Sequence, residues 1–338
     1  MKQLILTTFG DPEDTVRLVE TPEPVAGPGK VLVRLEAAAI NPSDLLLLQG
    51  KYLARPELPA GVGAEGVGIV EAVGPDVDSA LVGKRVIVFP TYTYGTWSEK
   101  VLAAAHDVLE VPDADPQQLA MLSINPPTAH LLLDRFVNLQ VGDWVGQTAA
   151  NSAVGRYVAT LARRRGLKTL NIVRREDAVE DVRTAGGDVV LVSGPNLAQD
   201  IKQALDGDRL SLVIDPLGGS GASDLLGALE FGGTAVAYGS LTGTPMTVSS
   251  ADLFGREVRL TGFWLGNWYA SETRHEIADT LTYLAHLIAE GVLHAPVEAT
   301  YHLDDYLKAF THARTGERGG KILFTFDGTR RQENHDSV

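Results

Sequence analysis

The feature that most constrains the fold is a series of short apolar strands that alternate with segments of helical length. From about Leu122 onward, strands are predicted over residues 144–147, 169–173, 189–192, 210–214 and 234–237. Strands that are apolar throughout and separated by helices are typical of a parallel sheet covered on both faces. The sequence therefore predicts an α/β fold with a doubly wound sheet.

The first 120 or so residues carry a different pattern. Short strands broken by glycine and proline are predicted there over residues 31–36, 67–73 and 85–89. This pattern indicates a β-rich, barrel-like module rather than a second alternating unit.

The end of the chain returns to strands after an amphipathic helix predicted over residues 272–290. We place these last strands, over 297–302 and 321–326, back in the barrel-like module. The prediction is therefore two domains and a polar tail. They comprise residues 1–121 with 296–326, residues 122–295, and a disordered tail over 327–338.

Composition excludes several classes of partner. The chain has no cysteine, so disulfides and thiolate metal sites are excluded, and its eight histidines show no paired ligand spacing. A net charge of −14 disfavours nucleic acid and anionic membranes. No apolar run is long enough to span a bilayer, and the start of the chain lacks a signal-peptide core. We expect a cytoplasmic protein without a metal.

A strand, turn and helix over residues 144–165 predict a dinucleotide site. Ala150, Ser152 and Gly155 stand where the G-x-G-x-x-G fingerprint has its glycines. Small side chains let the backbone approach a pyrophosphate, and the helix N-terminus supplies free N–H groups. The fingerprint is degenerate, so a small-residue turn without a ligand is the alternative.

The next strand ends with Arg174 and Arg175, the first of them 19 residues after Gly155. An NAD site would place an acidic residue there, whereas arginine suits the 2′-phosphate of NADP. The sequence therefore favours NADPH, with Arg174 as the main contact and a solvated strand end as the alternative. The arginines at 163–165 are interpreted as a solvated helix end, with docking of an anionic carrier as the alternative.

Several further motifs occur in one order along residues 1–326. They are Ile40-Asn41-Pro42-Ser43-Asp44, Gln49-Gly50-Lys51-Tyr52, Gly95-Thr96-Trp97, Asn125-Pro126-Pro127-Thr128-Ala129, the turn from Ala149 to Gly155, Tyr238-Gly239 and Gly262-Phe263-Trp264. In these motifs the chain resembles the 2-enoyl thioester reductases, a zinc-independent branch of the medium-chain dehydrogenase/reductases. The resemblance implies a GroES-like β-barrel catalytic domain, a Rossmann cofactor domain, and a homodimer formed through the sheet edge near 258–263.

The resemblance also implies the residues of the site. It gives Tyr52 the catalytic role and has Asn41 help to shape the site. The implied NADPH contacts are Asn125, Asn151, Ser152, Ala153, Val154, Arg174, Arg175, Tyr238, Gly239, Ser240, Leu241, Phe263, Trp264, Leu265 and Lys321. Trp268 and Tyr269, close behind, fit either a core or a pocket role.

The implied chemistry agrees with the residues present. Hydride addition to the β-carbon of an enoyl thioester leaves an enolate, and a tyrosine with an ordinary pKa near ~10 can donate a proton to it. Zinc-dependent relatives carry Gly-His-Glu where this chain has Gly63-Ala64-Glu65, so we interpret Glu65 as a structural carboxylate.

Other functions remain open from sequence. An NADPH:quinone oxidoreductase would share the fold and cofactor but need no tyrosine acid, and another activated alkene could replace the thioester. A non-enzymatic NADPH-binding protein is the alternative from a different class. The acyl length, and the choice between coenzyme A and acyl carrier protein as carrier, are also open.

Overall fold

The computed structural model describes residues 1–326, and the predicted tail lies outside them. The strands are β1 Lys2–Leu6, β2 Val16–Glu20, β3 Lys30–Ile40, β4 Ala60–Gly61, β5 Gly66–Val73, β6 Arg85–Val88, β7 Lys100–Ala104, β8 Val108–Glu110, β9 Trp144–Gln147, β10 Lys168–Val173, β11 Val189–Val192, β12 Leu210–Asp215, β13 Leu229–Ala237, β14 Arg259–Gly262, β15 Val297–Tyr301 and β16 Lys321–Thr325. The helices are α1 Pro12–Thr15, α2 Pro42–Leu48, α3 Pro116–Leu119, α4 Asn125–Asp134, α5 Ala153–Arg164, α6 Val179–Thr184, α7 Leu197–Leu205, α8 Gly219–Gly227, α9 Ser250–Gly255, α10 Leu265–Ser271, α11 Arg274–Ala289 and α12 Tyr306–Arg314. None of these helices is long and apolar enough to cross a bilayer.

The predicted parallel sheet is present with six strands, the five listed from the sequence and β14 at one edge, in the order β11-β10-β9-β12-β13-β14. The strand order reverses beside β9, which opens a crevice at the carboxyl ends of the strands, where doubly wound folds bind ligands. Strand β12 is buried at every residue because helices cover both faces of the sheet. Strand β13 begins five residues earlier than predicted. The exposed residues Glu230 and Phe231 in its first half interrupt the apolar pattern.

The barrel is built on β3, an eleven-residue strand that pairs with β5, β7 and β16. The two C-terminal strands return to this sheet, with β16 antiparallel to β3 and β15 parallel to β16. The ring of Trp97 packs against Phe310 of α12 and Phe324 of β16, with centroids 5.2 and 5.5 Å apart. The returning segment therefore supplies part of the barrel core.

A buried polar cluster joins the barrel to the cofactor domain. Asn41 and Asn125 each donate an amide N–H to Oε1 of Glu65, at 2.7 and 3.1 Å. Ser123 donates to the other carboxylate oxygen at 3.3 Å, and the ammonium of Lys321 donates to Oδ1 of Asn41. Burial raises the pKa of Glu65 and lowers that of Lys321, while the opposite charge of each partner opposes the shift. The contacts agree with a structural role for Glu65, which has no solvent exposure.

This cluster predicts a pH dependence of stability. Because burial raises the Glu65 pKa, the native chain from about pH 5 to pH 7 holds a proton that the unfolded chain has released. The contribution of this group to the free energy of unfolding therefore falls as pH rises, by at most about 1.4 kcal/mol per pH unit. The measurement is urea unfolding of the wild type and of Glu65→Gln. The wild-type free energy of unfolding minus that of the variant should decrease as pH rises across this range. For the exposed control Glu230→Gln, the difference from the wild-type free energy of unfolding should stay constant across this range. A Glu65→Gln variant whose free energy of unfolding changes with pH in parallel with that of the wild type would contradict the raised Glu65 pKa.

Candidate active site

A cleft of about 1260 Å³ lies between the barrel and the parallel sheet. Every predicted site residue except Arg174 and Arg175 lines it. The barrel contributes residues from the start of α2, from the loop after it and from the start of β16. The cofactor domain contributes the turns that follow β9, β13 and β14. The cleft is therefore large enough for a dinucleotide together with a second ligand.

The turn after β9 has the shape that a pyrophosphate requires. The side chain of Ser152 caps α5 by accepting a hydrogen bond from the Gly155 N–H at 3.1 Å. A β-carbon at Gly155 would lie 2.6 Å from the carbonyl oxygen of Ala150, so only glycine fits this close approach. Ala149 has a φ of +50°, which turns the chain out of the strand and toward the helix. The free N–H groups of the first turn of α5 lie in the wall of the cleft.

The turns after β13 and β14 form the rest of that wall. Tyr238, Gly239, Ser240 and Leu241 follow β13, and a β-carbon at Gly239 would lie 2.8 Å from the carbonyl oxygen of Pro216. Phe263, Trp264 and Leu265 follow β14 and present two aromatic rings to the cleft. Trp268 is buried in the core, and the Tyr269 hydroxyl donates to the Ser123 carbonyl at 2.7 Å. These last two residues do not line the cleft.

The guanidinium groups of Arg174 and Arg175 face the segment that precedes β16. Arg174 donates to the carbonyl of Gly316, and Arg175 donates to that of Glu317 at 2.6 Å. Arg318, from the same segment, is half-buried in the cleft wall, and no carboxylate of residues 1–326 lies within ion-pair distance of it. Burial lowers its pKa. Arg318 was not among the residues predicted from the sequence, because its only local signal is an arginine between glycines ahead of a strand.

The hydroxyl of Tyr52 lies where the two domains meet. Trp264 Nε1, from the cofactor domain, donates to the Tyr52 oxygen at 2.9 Å. The hydroxyl of Tyr92 lies 3.2 Å from the same oxygen, from a barrel loop that also lines the cleft. Tyr92 was not among the predicted residues, because nothing in the local Thr-Tyr-Thr-Tyr pattern shows that it faces a residue 40 positions away.

Asn41, Asn125 and Lys321 form the polar floor of the cleft. All three are at least 92% buried and belong to the cluster around Glu65 described above. Among residues 1–326, no group of three or more histidine, cysteine, aspartate or glutamate side chains is arranged to hold a metal ion. The polar side chains of the floor and the phenol of Tyr52 are among the polar groups that a ligand between the walls would meet.

Comparison with known proteins agrees with this geometry. Residues 27–113 match the model of the alcohol dehydrogenase GroES-like domain, and residues 153–284 match that of the zinc-binding dehydrogenases. The mitochondrial enoyl-[acyl-carrier-protein] reductase of Xenopus tropicalis is 33% identical over 321 residues, which cover 92% of this chain and 91% of that protein.

Two solved structures share the whole architecture. One, provisionally named an NADPH:quinone reductase from Bacillus thuringiensis, is 30% identical with a TM-score of 0.88 and covers 96% of this chain and 98% of its own. The other is the complex of Etr1p with NADP and crotonyl-CoA, with a TM-score of 0.85 and coverage of 96% and 99%. At 23% identity the second likeness shows the fold. This chain therefore belongs to the medium-chain dehydrogenase/reductase family of oxidoreductases, on the branch that includes the enoyl reductases.

Proposed function

We propose that this protein reduces the C2=C3 double bond of 2-enoyl thioesters with NADPH and without a metal ion. The observation that carries the proposal is the Tyr52 hydroxyl, which lies in the cleft and accepts a hydrogen bond from Trp264 of the other domain. A phenol keeps its proton near neutral pH and can donate it. The enoyl reductase named among the relatives, and the crotonyl-CoA bound by Etr1p, support the same chemistry.

The chain's residues fit the cofactor. Gly155 permits the tight turn after β9, and the turn residues Asn151, Ser152, Ala153 and Val154 line the cleft where a pyrophosphate would lie. The guanidinium groups beside the end of β10 suit the 2′-phosphate, and the turns after β13 and β14 suit the nicotinamide end. NADPH, when bound, supplies the hydride that adds to the β-carbon of the enoyl group.

The remaining chemistry falls to Tyr52. Hydride addition moves negative charge onto the thioester oxygen, and the Tyr52 hydroxyl stabilises that charge before its proton passes to the α-carbon. The Trp264 N–H fixes the position of the Tyr52 oxygen. The buried ammonium of Lys321, at the floor of the same cleft, adds a positive potential that favours the anionic enolate.

A second candidate is quinone reduction, which the likeness to the Bacillus thuringiensis structure favours. It uses the same fold and cofactor but does not require a proton donor at Tyr52. Another activated alkene could also serve as substrate, and a protein that binds NADPH without turnover is the non-enzymatic alternative. The carrier of the enoyl group, coenzyme A or acyl carrier protein, is not decided by the cleft.

The first test of the proposal is the substitution Tyr52→Phe. We expect the wild type to oxidise NADPH with crotonyl-CoA, and the variant to lose roughly 10²-fold in kcat because it lacks the proton donor. The measurement is the loss of NADPH absorbance. Tyr94→Phe is the matched control, since the Tyr94 hydroxyl bonds to Asp107 and lies outside the cleft. Quinone turnover without enoyl turnover would select the second candidate, and tight NADPH binding without either would select the binding protein.

The second test concerns the choice of cofactor. Arg174→Ala should raise the KM for NADPH roughly tenfold, because a charge-assisted contact with the 2′-phosphate is lost. The KM for NADH should not change, since NADH lacks that phosphate. Arg164→Ala, at an exposed position in the last turn of α5, is the control and should change neither constant. An equal rise in the KM for NADPH and the KM for NADH would indicate that Arg174 has a structural role.

We also propose a homodimer formed through β14. Strand β14 pairs with β13 on one side, and residues 1–326 supply no strand for its other side. All four of its residues are exposed, and the flanking elements expose Phe231 and Phe254. An unpaired, partly apolar edge readily pairs with a second copy of the chain.

The dimer proposal is tested by Leu260→Asp, which places a charge on that edge. Light scattering should give twice the mass of the chain for the wild type and the mass of one chain for the variant. The control Leu307→Asp changes a comparably exposed leucine of α12 and should remain dimeric. A wild-type monomer, or a dimeric Leu260→Asp variant, would contradict this interface.

A further inference from the structure

The hydrogen-bonding neighbours of the Tyr52 oxygen determine where its single proton can point. A tyrosine hydroxyl has one proton to donate and can accept two hydrogen bonds. Trp264 Nε1 can only donate, so it occupies one acceptor position at 2.9 Å. Tyr92, at 3.2 Å, can either donate or accept. If Tyr52 donated to Tyr92, its proton would be unavailable to a ligand in the cleft.

We propose that Tyr92 is a positioning residue that donates its proton to the Tyr52 oxygen and thereby directs the Tyr52 proton toward the substrate. With Trp264 and Tyr92 both donating, the two acceptor positions of Tyr52 are filled. The one proton that remains on Tyr52 then points into the cleft. This inference rests on the proposed reduction of enoyl thioesters, in which Tyr52 is the proton donor.

The structure holds Tyr92 in place for this role. Its ring lies 5.6 Å from that of Tyr52, tilted by 56°, and packs against the barrel core. Its backbone adopts a φ of +59°, in the left-handed region that a β-carbon disfavours. The loop is anchored by Gly95, where a β-carbon would lie 2.7 Å from Gly61. In this conformation the Tyr92 hydroxyl lies 3.2 Å from the Tyr52 hydroxyl.

Tyr92 is also suited to donate. Within residues 1–326, the Tyr52 hydroxyl is the one hydrogen-bond partner of the Tyr92 hydroxyl. Burial raises the pKa of Tyr92 well above that of an ordinary tyrosine, and the nearby charges of Asp44 and Glu65 act in the same direction. The side chain therefore keeps its proton at neutral pH.

The proton balance of the step is simple. As the α-carbon of the enolate forms its C–H bond, the O–H bond of Tyr52 breaks and its electron pair stays on the oxygen. The Tyr92 O–H and the Trp264 N–H then donate to that phenolate and stabilise it. A proton from solvent restores Tyr52 after the product leaves. No oxidant or reductant beyond NADPH is required.

The test is a double-mutant cycle of Tyr92→Phe and Tyr52→Phe with NADPH and crotonyl-CoA. Tyr92→Phe alone should lower kcat roughly tenfold through misdirected proton transfer, with the KM for NADPH unchanged. In the Tyr52→Phe background the same change should have no further effect, because the residue acts through Tyr52. Single-turnover assays at high enzyme concentration give the residual rates. Tyr94→Phe is again the control.

A second measurement separates positioning from packing. The solvent deuterium isotope effect on kcat should increase in Tyr92→Phe, because proton transfer becomes slower relative to hydride transfer. Equal losses in both backgrounds, or a kcat and isotope effect like those of the wild type, would overturn the inference. Those outcomes leave the proposed function intact, since the wild type would still reduce the thioester. A wild type inert toward enoyl thioesters would instead overturn the proposed function, and this inference with it.

Discussion

The structure depends on the hydrogen bonding of one buried carboxyl group. Glu65 lies without solvent exposure just before β5, and its polar oxygens are stable there only if donors surround them. Those donors come from the starts of α2 and α4, and the ammonium of Lys321, at the start of β16, binds one of them. These hydrogen bonds hold together the starts of α2, α4 and β16. They thereby fix the barrel, the cofactor domain and the C-terminal strand relative to one another. Because Asn41, Asn125 and Lys321 also line the cleft, the same requirement builds the floor of the site.

The hydrogen-bonding neighbours of Tyr52, the proposed proton donor, likewise come from both domains. Tyr52 and Tyr92 come from the barrel, whereas Trp264 follows the last strand of the parallel sheet. In the mechanism proposed above, Trp264 and Tyr92 both donate to the Tyr52 oxygen, and the phenol would then give a developing negative charge the stabilisation that a metal ion gives in zinc-dependent members of the superfamily. The three side chains are therefore brought together only when the two domains pack against each other.

Much of this arrangement could be predicted from the sequence, for physical reasons that differ from part to part. The parallel sheet was predictable because its strands are apolar throughout, and the dinucleotide turn because Gly155 is required by a carbonyl 2.6 Å away. The catalytic role predicted for Tyr52 came from family resemblance, since its local sequence carries no signal. Contacts between distant segments could not be predicted. Arg174 meets a loop 142 residues further on, and Tyr92 meets Tyr52 across 40 residues, through packing that no local pattern records.

The path of β16 limits how this fold can be recombined. The strand enters from the segment that Arg174 and Arg175 contact, contributes Lys321 to the cleft floor, and then pairs with β3 inside the barrel. A cofactor domain exchanged between relatives as residues 122–295 would thus keep its whole parallel sheet yet meet a foreign ammonium at the cleft floor and a foreign loop beside Arg174 and Arg175. On the proposed function, a change of cofactor preference in such a chain would involve two distant stretches of sequence, the end of β10 and the segment before β16, because these stretches contact each other.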